Sequence, residues 1–209
     1  MENVLVAGAN GTTGKKIVKL LNESQYFNPI AMIRKESQKE QFEKDNITTV
    51  MGDLEKDISH TVKNIDKVIF AAGSGGKKVE AVDQEGAKKL VDAAKTANLK
   101  KFVMLSSMGA ENPAEASELK EYLKAKHNAD VYLKDSNLTY AIVRPGSLTN
   151  DKGTGKIKAQ ANLEQSGSIS RDDVAQTLVR SLHDDAVKNA TFEILEGETL
   201  IGEAIDSVS

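Results

Sequence analysis

Gly8, Gly11 and Gly14 stand at every third position in "NVLVAGANGTTGKKIVKLL", Asn3 to Leu21. Backbone without side chains, placed where an apolar run gives way to a helically periodic one, suits phosphate chemistry. The pyrophosphate of a dinucleotide takes backbone N–H donors at a helix N-terminus, and side chains would hold it away. Gly8 permits a tight turn, Gly11 lets backbone come close, and Gly14 lets helix pack on strand. Asn10, Thr12 and Thr13 share the loop, and the threonines add hydroxyl or amide donors for phosphate. The spacing is G-x-x-G-x-x-G, not the commoner G-x-G-x-x-G, but it follows a strand and opens a helix, as such a motif must. The competing reading is a plain tight turn between strand and helix.

The next chemical signal is "IAMIRKES", at the end of the second apolar run. An acidic residue here would bind ribose hydroxyls, whereas arginine accommodates a 2′-phosphate. Arg34 and Lys35 occupy the place. A guanidinium grips phosphate through paired N–H donors and an ammonium adds point charge, so NADP(H) is expected over NAD(H). An ordinary basic surface turn is the alternative. In "GDL", Asp53 suits an adenine amino group and Leu54 offers backbone, although Asp53 also suits a helix cap. "AAGSGG" supplies small residues, Ala71, Ala72 and Gly73, that let the chain pass close to a ribose.

The elements that must position these residues follow from the hydrophobic pattern. The apolar runs are Val4–Gly8, Pro29–Ile33, Ile47–Met51, Lys67–Gly73, Lys101–Ser107 and Thr139–Gly146. Each is rich in β-branched or aromatic residues and bounded by glycine, proline or polar residues, as buried parallel strands are. Helical patterns cover about Val79 to Ala97 and about Glu115 to Lys134. In the second, Leu119, Tyr122, Lys126, Ala129 and Leu133 fall on one stripe that should meet the core. A lysine on that stripe must snorkel to water or find a partner. This alternation predicts an α/β fold, a doubly wound parallel sheet with the first strand central. Beyond Gly146 a long polar loop with one short strand is expected. A helix opened by Ser170 over about Arg171 to His183, the strand "ATFEIL" and a terminal helix follow. The chain reads as one domain, with residues 1–146 as a dinucleotide-binding core and 147–209 as a small C-terminal substrate or cap portion.

Bulk composition narrows the function. The 209 residues carry 28 basic against 31 acidic side chains, a net charge of −3, so no broad cationic surface for nucleic acid is expected. Cysteine is absent, and the 3 histidines (His60, His127 and His183) share no ligand spacing, so no metal site is expected. No apolar stretch approaches the roughly 20 residues that cross a bilayer, and no leader-like segment follows Met1. No membrane partner is expected, and the expected location is the cytoplasm.

The stretches "GANGTTGK", "MIRK", "GDL", "AAGSGG", "VMLSSMGA", "YLKAKHNAD", "TYAIVRPG" and "ISRDDVA" run through nearly the whole chain. Together they resemble an atypical short-chain dehydrogenase/reductase of the NAD-dependent epimerase/dehydratase superfamily. The likeness is to the small NAD(P)-binding branch of NmrA-like proteins and biliverdin/flavin reductases. It implies a Rossmann-type fold and a reactive group made of a serine at the end of strand five, a tyrosine, and a lysine four residues later. "LSS" supplies Ser106 and Ser107, with Ser107 the better match to the reductase branch, and "YLKAK" supplies Tyr122 and Lys126. By this resemblance Tyr122 would donate a proton, Lys126 would lower the tyrosine's pKa and hold ribose, and Ser107 would bind the developing oxyanion. Ser106 would border the cofactor, and Pro145 and Gly146 would set the backbone's path beside nicotinamide. Arg144 either belongs to that segment or is a structural ion-pair partner. The loops Met108–Glu118 and Ser147–Ser168 would close a shallow pocket, their glycines serving as hinges or as ordinary turns.

The leading expectation is an NADP(H)-dependent oxidoreductase acting on a small carbonyl, quinone or flavin-like acceptor, its substrate otherwise unspecified. A non-enzymatic redox sensor that binds dinucleotide is the alternative, motivated by the short C-terminal portion. A nucleotide-sugar epimerase or dehydratase is weaker, since little chain remains to hold the nucleotide. The resemblance also allows a homodimer through exposed helices, which nothing in the sequence itself requires.

Overall fold

The computed structural model describes residues 1–116 and 118–208. Six strands run where the apolar pattern places them: β1 (Glu2–Ala7), β2 (Phe27–Ile33), β3 (Thr48–Met51), β4 (Lys67–Phe70), β5 (Lys101–Leu105) and β6 (Tyr140–Pro145). Three short strands follow, β7 (Ser147–Thr149), β8 (Lys156–Gln160) and β9 (Ser168–Ser170), and then β10 (Ala190–Glu196) and β11 (Thr199–Leu200). The main sheet has the order β11-β8-β10-β6-β5-β4-β1-β2-β3. From β3 to β10 every pairing is parallel, and β8 joins β10 and β11 antiparallel. β1 lies inside the sheet between β2 and β4, and the chain reverses its direction of winding there. This is the doubly wound Rossmann-type arrangement, an α/β fold.

Strand residues alternate between two apolar layers, as a sheet covered on both faces requires. Val4 and Val6 of β1 face one layer with Ile17, Leu21, Val174 and Leu178. These come from α1 (Thr12–Asn22) and α5 (Arg171–Arg180). Leu5 and Ala7 face the other with Leu90, Val91, Ala129 and Leu133, carried by α3 (Glu85–Thr96) and α4 (Lys120–Lys134). Two short helices, α2 (Glu40–Glu43) and α6 (Ile201–Asp206), complete the set.

Several local expectations need correction. The region after Gly146 is not one loop with a single strand. β8 enters the main sheet and β7 pairs with β9. The alternation in β8 is weak to the eye because its outward residues are Lys156, Lys158 and Gln160, with only Ile157 and Ala159 buried. The expected helix over Val79–Ala97 is α-helical only from Glu85. Val79–Gln84 form a π-helical turn, which shifts the helical phase and buries Asp83 while Val79 and Val82 are half-exposed. The helix expected from Glu115 begins at Lys120, after a 3₁₀ turn at Pro113–Glu115. Leu119 has left-handed backbone (φ 58°) and is exposed, so Leu123 takes the inward place that Leu119 was expected to fill. That segment, and the loop Met108–Glu118, include Ser117, which lies outside the described residues.

The start of α5 shows how polar residues fix the chain beyond β6. Ser170 Oγ accepts the Asp173 N–H (3.0 Å), the N-cap expected from sequence. The buried Asp173 carboxylate in turn accepts the N–H groups of Thr154 (3.1 Å) and Gly155 (2.8 Å), tying the β7–β8 connection to α5. Asp173→Ala would strand these donors, and a loss of about 3 kcal/mol is expected. Urea unfolding measures it; a change within 0.5 kcal/mol, taken as about the scatter of neutral surface substitutions, would contradict this account.

Candidate active site

The first crossover is built without side chains. Gly8 follows β1 with φ +89°, and a Cβ there would stand 2.6 Å from the backbone of Ala71 and Ala72, which follow β4. A Cβ on Gly14 would overlap the Gly8 carbonyl, so the helix lies directly on the turn. Gly11 caps α1 with no side chain, donates its N–H to Gly8 O (2.9 Å), and through its carbonyl accepts the N–H of Lys15 (2.9 Å). The N–H groups of Thr12, Thr13 and Gly14 precede the first helical donor, Lys15 N–H, so they make an anion cradle at the helix's positive end. The Thr13 side chain is itself buried.

A cleft opens from this cradle across the ends of β1, β2 and β4. Gly8, Asn10, Gly11, Arg34, Asp53, Leu54, Ala71, Ala72 and Gly73 line it, together with Met32, Gln38, Gly52 and Val82, which were not expected as site residues from sequence. Gln38 is the informative omission. Its Oε1 accepts the N–H groups of both Arg34 (2.9 Å) and Lys35 (3.0 Å), which fixes the turn that carries the two cations. Asn10 turns its side chain to Gln41, 2.6 Å away. Asp53 Oδ1 accepts the Glu55 N–H (3.1 Å), so it caps a turn while also bordering the cleft. Thr12, Thr13, Gly14 and Lys35 stand beside the cleft and do not line it.

Ser106, Ser107, Tyr122, Lys126, Pro145 and Gly146 gather at the ends of β5 and β6, apart from that lining. Met108 N–H bonds Pro145 O (3.0 Å), holding the two strand ends together. Lys126 is buried, donates to Leu105 O (3.1 Å), and lies 5.7 Å from the centre of the Tyr122 ring. Ser107 Oγ bonds Met108 O (3.1 Å) and faces the Tyr122 hydroxyl. The electrostatics differ from the expectation that Lys126 lowers the tyrosine's pKa. Burial, with the negative charge of Asp83 behind it, pushes Tyr122 up to about 12, only partly opposed by Ser107. Burial also pulls Lys126 below the usual lysine range, against the pull of Asp83 and Asp130. Tyr122 is therefore held as a phenol, the form that has a proton to give.

Two buried acids were not anticipated. Asp130 is fully buried, and its Oδ2 accepts from Ser106 Oγ (2.9 Å) and from Arg144 Nε and Nη2 (3.0 Å each). Arg144 also meets Glu111 at 3.2 Å, so of its two readings the ion-pair partner is the one found. Burial pushes the Asp130 carboxyl up despite the guanidinium. A signal existed: Tyr122, Lys126 and Asp130 are spaced by four and share a helix face. Asp83 gave none, because only the π-helical turn points it inward.

A family described as NAD(P)H-binding matches residues 8–185. "Uncharacterized sugar epimerase YhfK" of Bacillus subtilis is 42% identical, over 97% of this chain and 98% of that protein. Sanguinarine reductase of Eschscholzia californica is 26% identical, over 96% and 91%. Among solved structures, a Bacillus halodurans protein provisionally assigned as an NAD-dependent epimerase/dehydratase superposes with TM-score 0.95 at 35% identity, covering all of both chains. The oxidoreductase ylbE of Lactococcus lactis gives 0.88 at 32%, over 98% and 95%. This chain belongs to the NAD(P)H-binding family.

Gly8→Ala adds a methyl against two backbone segments at a positive φ. It should cost about 2 kcal/mol or more and displace the loop after β4. A thermal midpoint and a dinucleotide affinity both equal to wild type would refute the close-approach account.

Proposed function

We propose that this member of the NAD(P)H-binding family is an NADP(H)-dependent oxidoreductase that reduces a small carbonyl, quinone or flavin-like acceptor. The observation that carries the reading is a single cleft with the helix α1 cradle at one side and Arg34 at the other. The cradle would take the pyrophosphate, and the exposed Arg34 guanidinium, on a turn whose backbone Gln38 holds, would take a 2′-phosphate. Lys35 adds positive charge beside it. Asp53 and Leu54 border adenine, and Ala71, Ala72 and Gly73 allow ribose to lie against backbone. Bound NADPH would supply the hydride.

The chain's own residues account for the rest. Tyr122, held as a phenol, gives its proton to the acceptor oxygen as the carbonyl carbon gains hydride. Ser107 donates a hydrogen bond to the same oxygen as charge develops there. The Lys126 ammonium holds ribose hydroxyls, and Ser106, Pro145 and Gly146 shape the wall beside nicotinamide. Sanguinarine reductase supports a reductive role by its name, and the oxidoreductase ylbE supports redox chemistry.

A sugar epimerase is the second reading, favoured by the name of the 42%-identical Bacillus subtilis relative. It needs a lobe for the nucleotide. Much of residues 147–209 is committed elsewhere: β8, β10 and β11 lie in the main sheet and α5 and α6 pack on it.

Two measurements test the proposal. Arg34→Ala should weaken NADPH about 10-fold or more while leaving NADH within about twofold, as expected for a lost charge-assisted phosphate contact. Equal affinities for the two coenzymes in wild type would overturn the assignment. Tyr122→Phe should lower turnover with quinone, flavin or aldehyde acceptors about 100-fold or more, with NADPH affinity kept. Binding without turnover across that panel would favour the sensor reading, and activity on a nucleotide sugar with tightly held NAD would favour the epimerase.

A further inference from the structure

The geometry points to Asp83 as a positioning residue for Lys126: its carboxylate joins the loop after β4 to the lysine ammonium and keeps that ammonium charged beside the ribose site. The inference rests on the role given to Lys126 above.

Asp83 is 2% exposed. One oxygen accepts the Ser74 N–H at 3.0 Å, and the other lies 4.0 Å from Lys126 Nζ. A buried carboxylate and a buried ammonium are each unfavourable alone, and each supplies the charge the other lacks. The π-helical turn is what brings them together, since the same residue in regular helical phase would not face inward.

The other charged groups around Lys126 leave this role to Asp83. On its own helix stand the Tyr122 phenol and Asp130. From β5 comes the Leu105 carbonyl, which is uncharged. From β6, Arg144 grips Asp130, and Glu111 sits on the outer side of Arg144. Asp130 is thus engaged by a cation already, and burial pushes its carboxyl toward the neutral form. The charge that remains for Lys126 is that of Asp83. Its second tie, to Ser74, places the loop that lines the adenosine side of the cleft under the same carboxylate.

Asp83→Asn separates charge from shape, because the amide oxygen still accepts the Ser74 N–H. Without the negative charge, burial acts on Lys126 against Asp130 alone and its pKa falls further. NADPH affinity is measured by fluorescence from pH 7 to 10 in a Tyr122→Phe background, which removes the phenol from the titration. The expected result is an affinity lost at high pH, with the loss moved down by about one pH unit or more in Asp83→Asn. Lys126→Met should abolish the pH dependence, and Asp83→Asn added to it should change nothing further. Lys101 is pulled down to about 8 by burial, but it lies at the opposite end of β5 and is intact in every variant. A high-pH loss that persists in Lys126→Met therefore overturns the inference, and this arm stands even if Asp83→Asn does not fold. An unmoved profile in a folded Asp83→Asn that binds NADPH overturns the inference alone. No NADPH binding by wild type overturns it together with the proposed function.

Discussion

The constraint that orders this molecule is the absence of side chains where β1, α1 and the end of β4 meet. Gly8 and Gly14 let three backbone segments approach within a distance that one methyl group would forbid. That approach sets helix α1 flat against the sheet, and the flat seating in turn aims its first N–H groups at the cleft. In the proposed function, binding of the pyrophosphate depends on those donors being reachable. The two apolar layers hold the sheet between helices on both faces, but they would serve a wider crossover equally well. The bare crossover is what leaves the first helical N–H groups of a packed α/β domain open to an anion.

The cluster at the ends of β5 and β6, apart from the cleft lining, works by the opposite device, side chains packed to exclude water. Lys126, Asp83, Asp130 and Arg144 are all buried, and each has at least one charged neighbour. Buried ion pairs of this kind contribute little to stability by themselves, because desolvation offsets attraction. Their worth is positional. Ser106, Lys126 and Arg144 are fixed by acids, and Tyr122 stays protonated because the same acids and the same burial disfavour its phenolate. Asp130 Oδ1 is left with no hydrogen-bond partner among the described residues, the cost carried by an arrangement that serves position first.

Most of the fold was legible because strands and helices announce themselves by period. The six leading strands and the capped start of α5 were read from apolar runs and from Ser170. The glycines, Arg34, and the small residues after β4 were read from chemistry that accepts few other residue types. What escaped did so for identifiable reasons. β8 is short and half of it is lysine and glutamine, so alternation over five residues carried little signal. Leu119 looked like core because its spacing fits the stripe, but the helix begins one residue after it. Asp83 was hidden by a change of helical period that no side chain nearby reports. Gln38 was missed because it acts on backbone, and a glutamine two residues into a polar turn has no distinguishing spacing.

The edges of the sheet carry a separate consequence. One margin is β11, only 2 residues long, and the other is β3, with 4. They cover only Lys156–Ile157 of β8 and Ile30–Ile33 of β2, so the free amide and carbonyl groups of each edge are split into short stretches rather than one long template. The antiparallel turn of β8 against β10 achieves this on the side where a seven-residue parallel strand would otherwise lie bare. The same C-terminal residues that close the fold thereby cover the outer edge of β10 from Glu193 to Glu196.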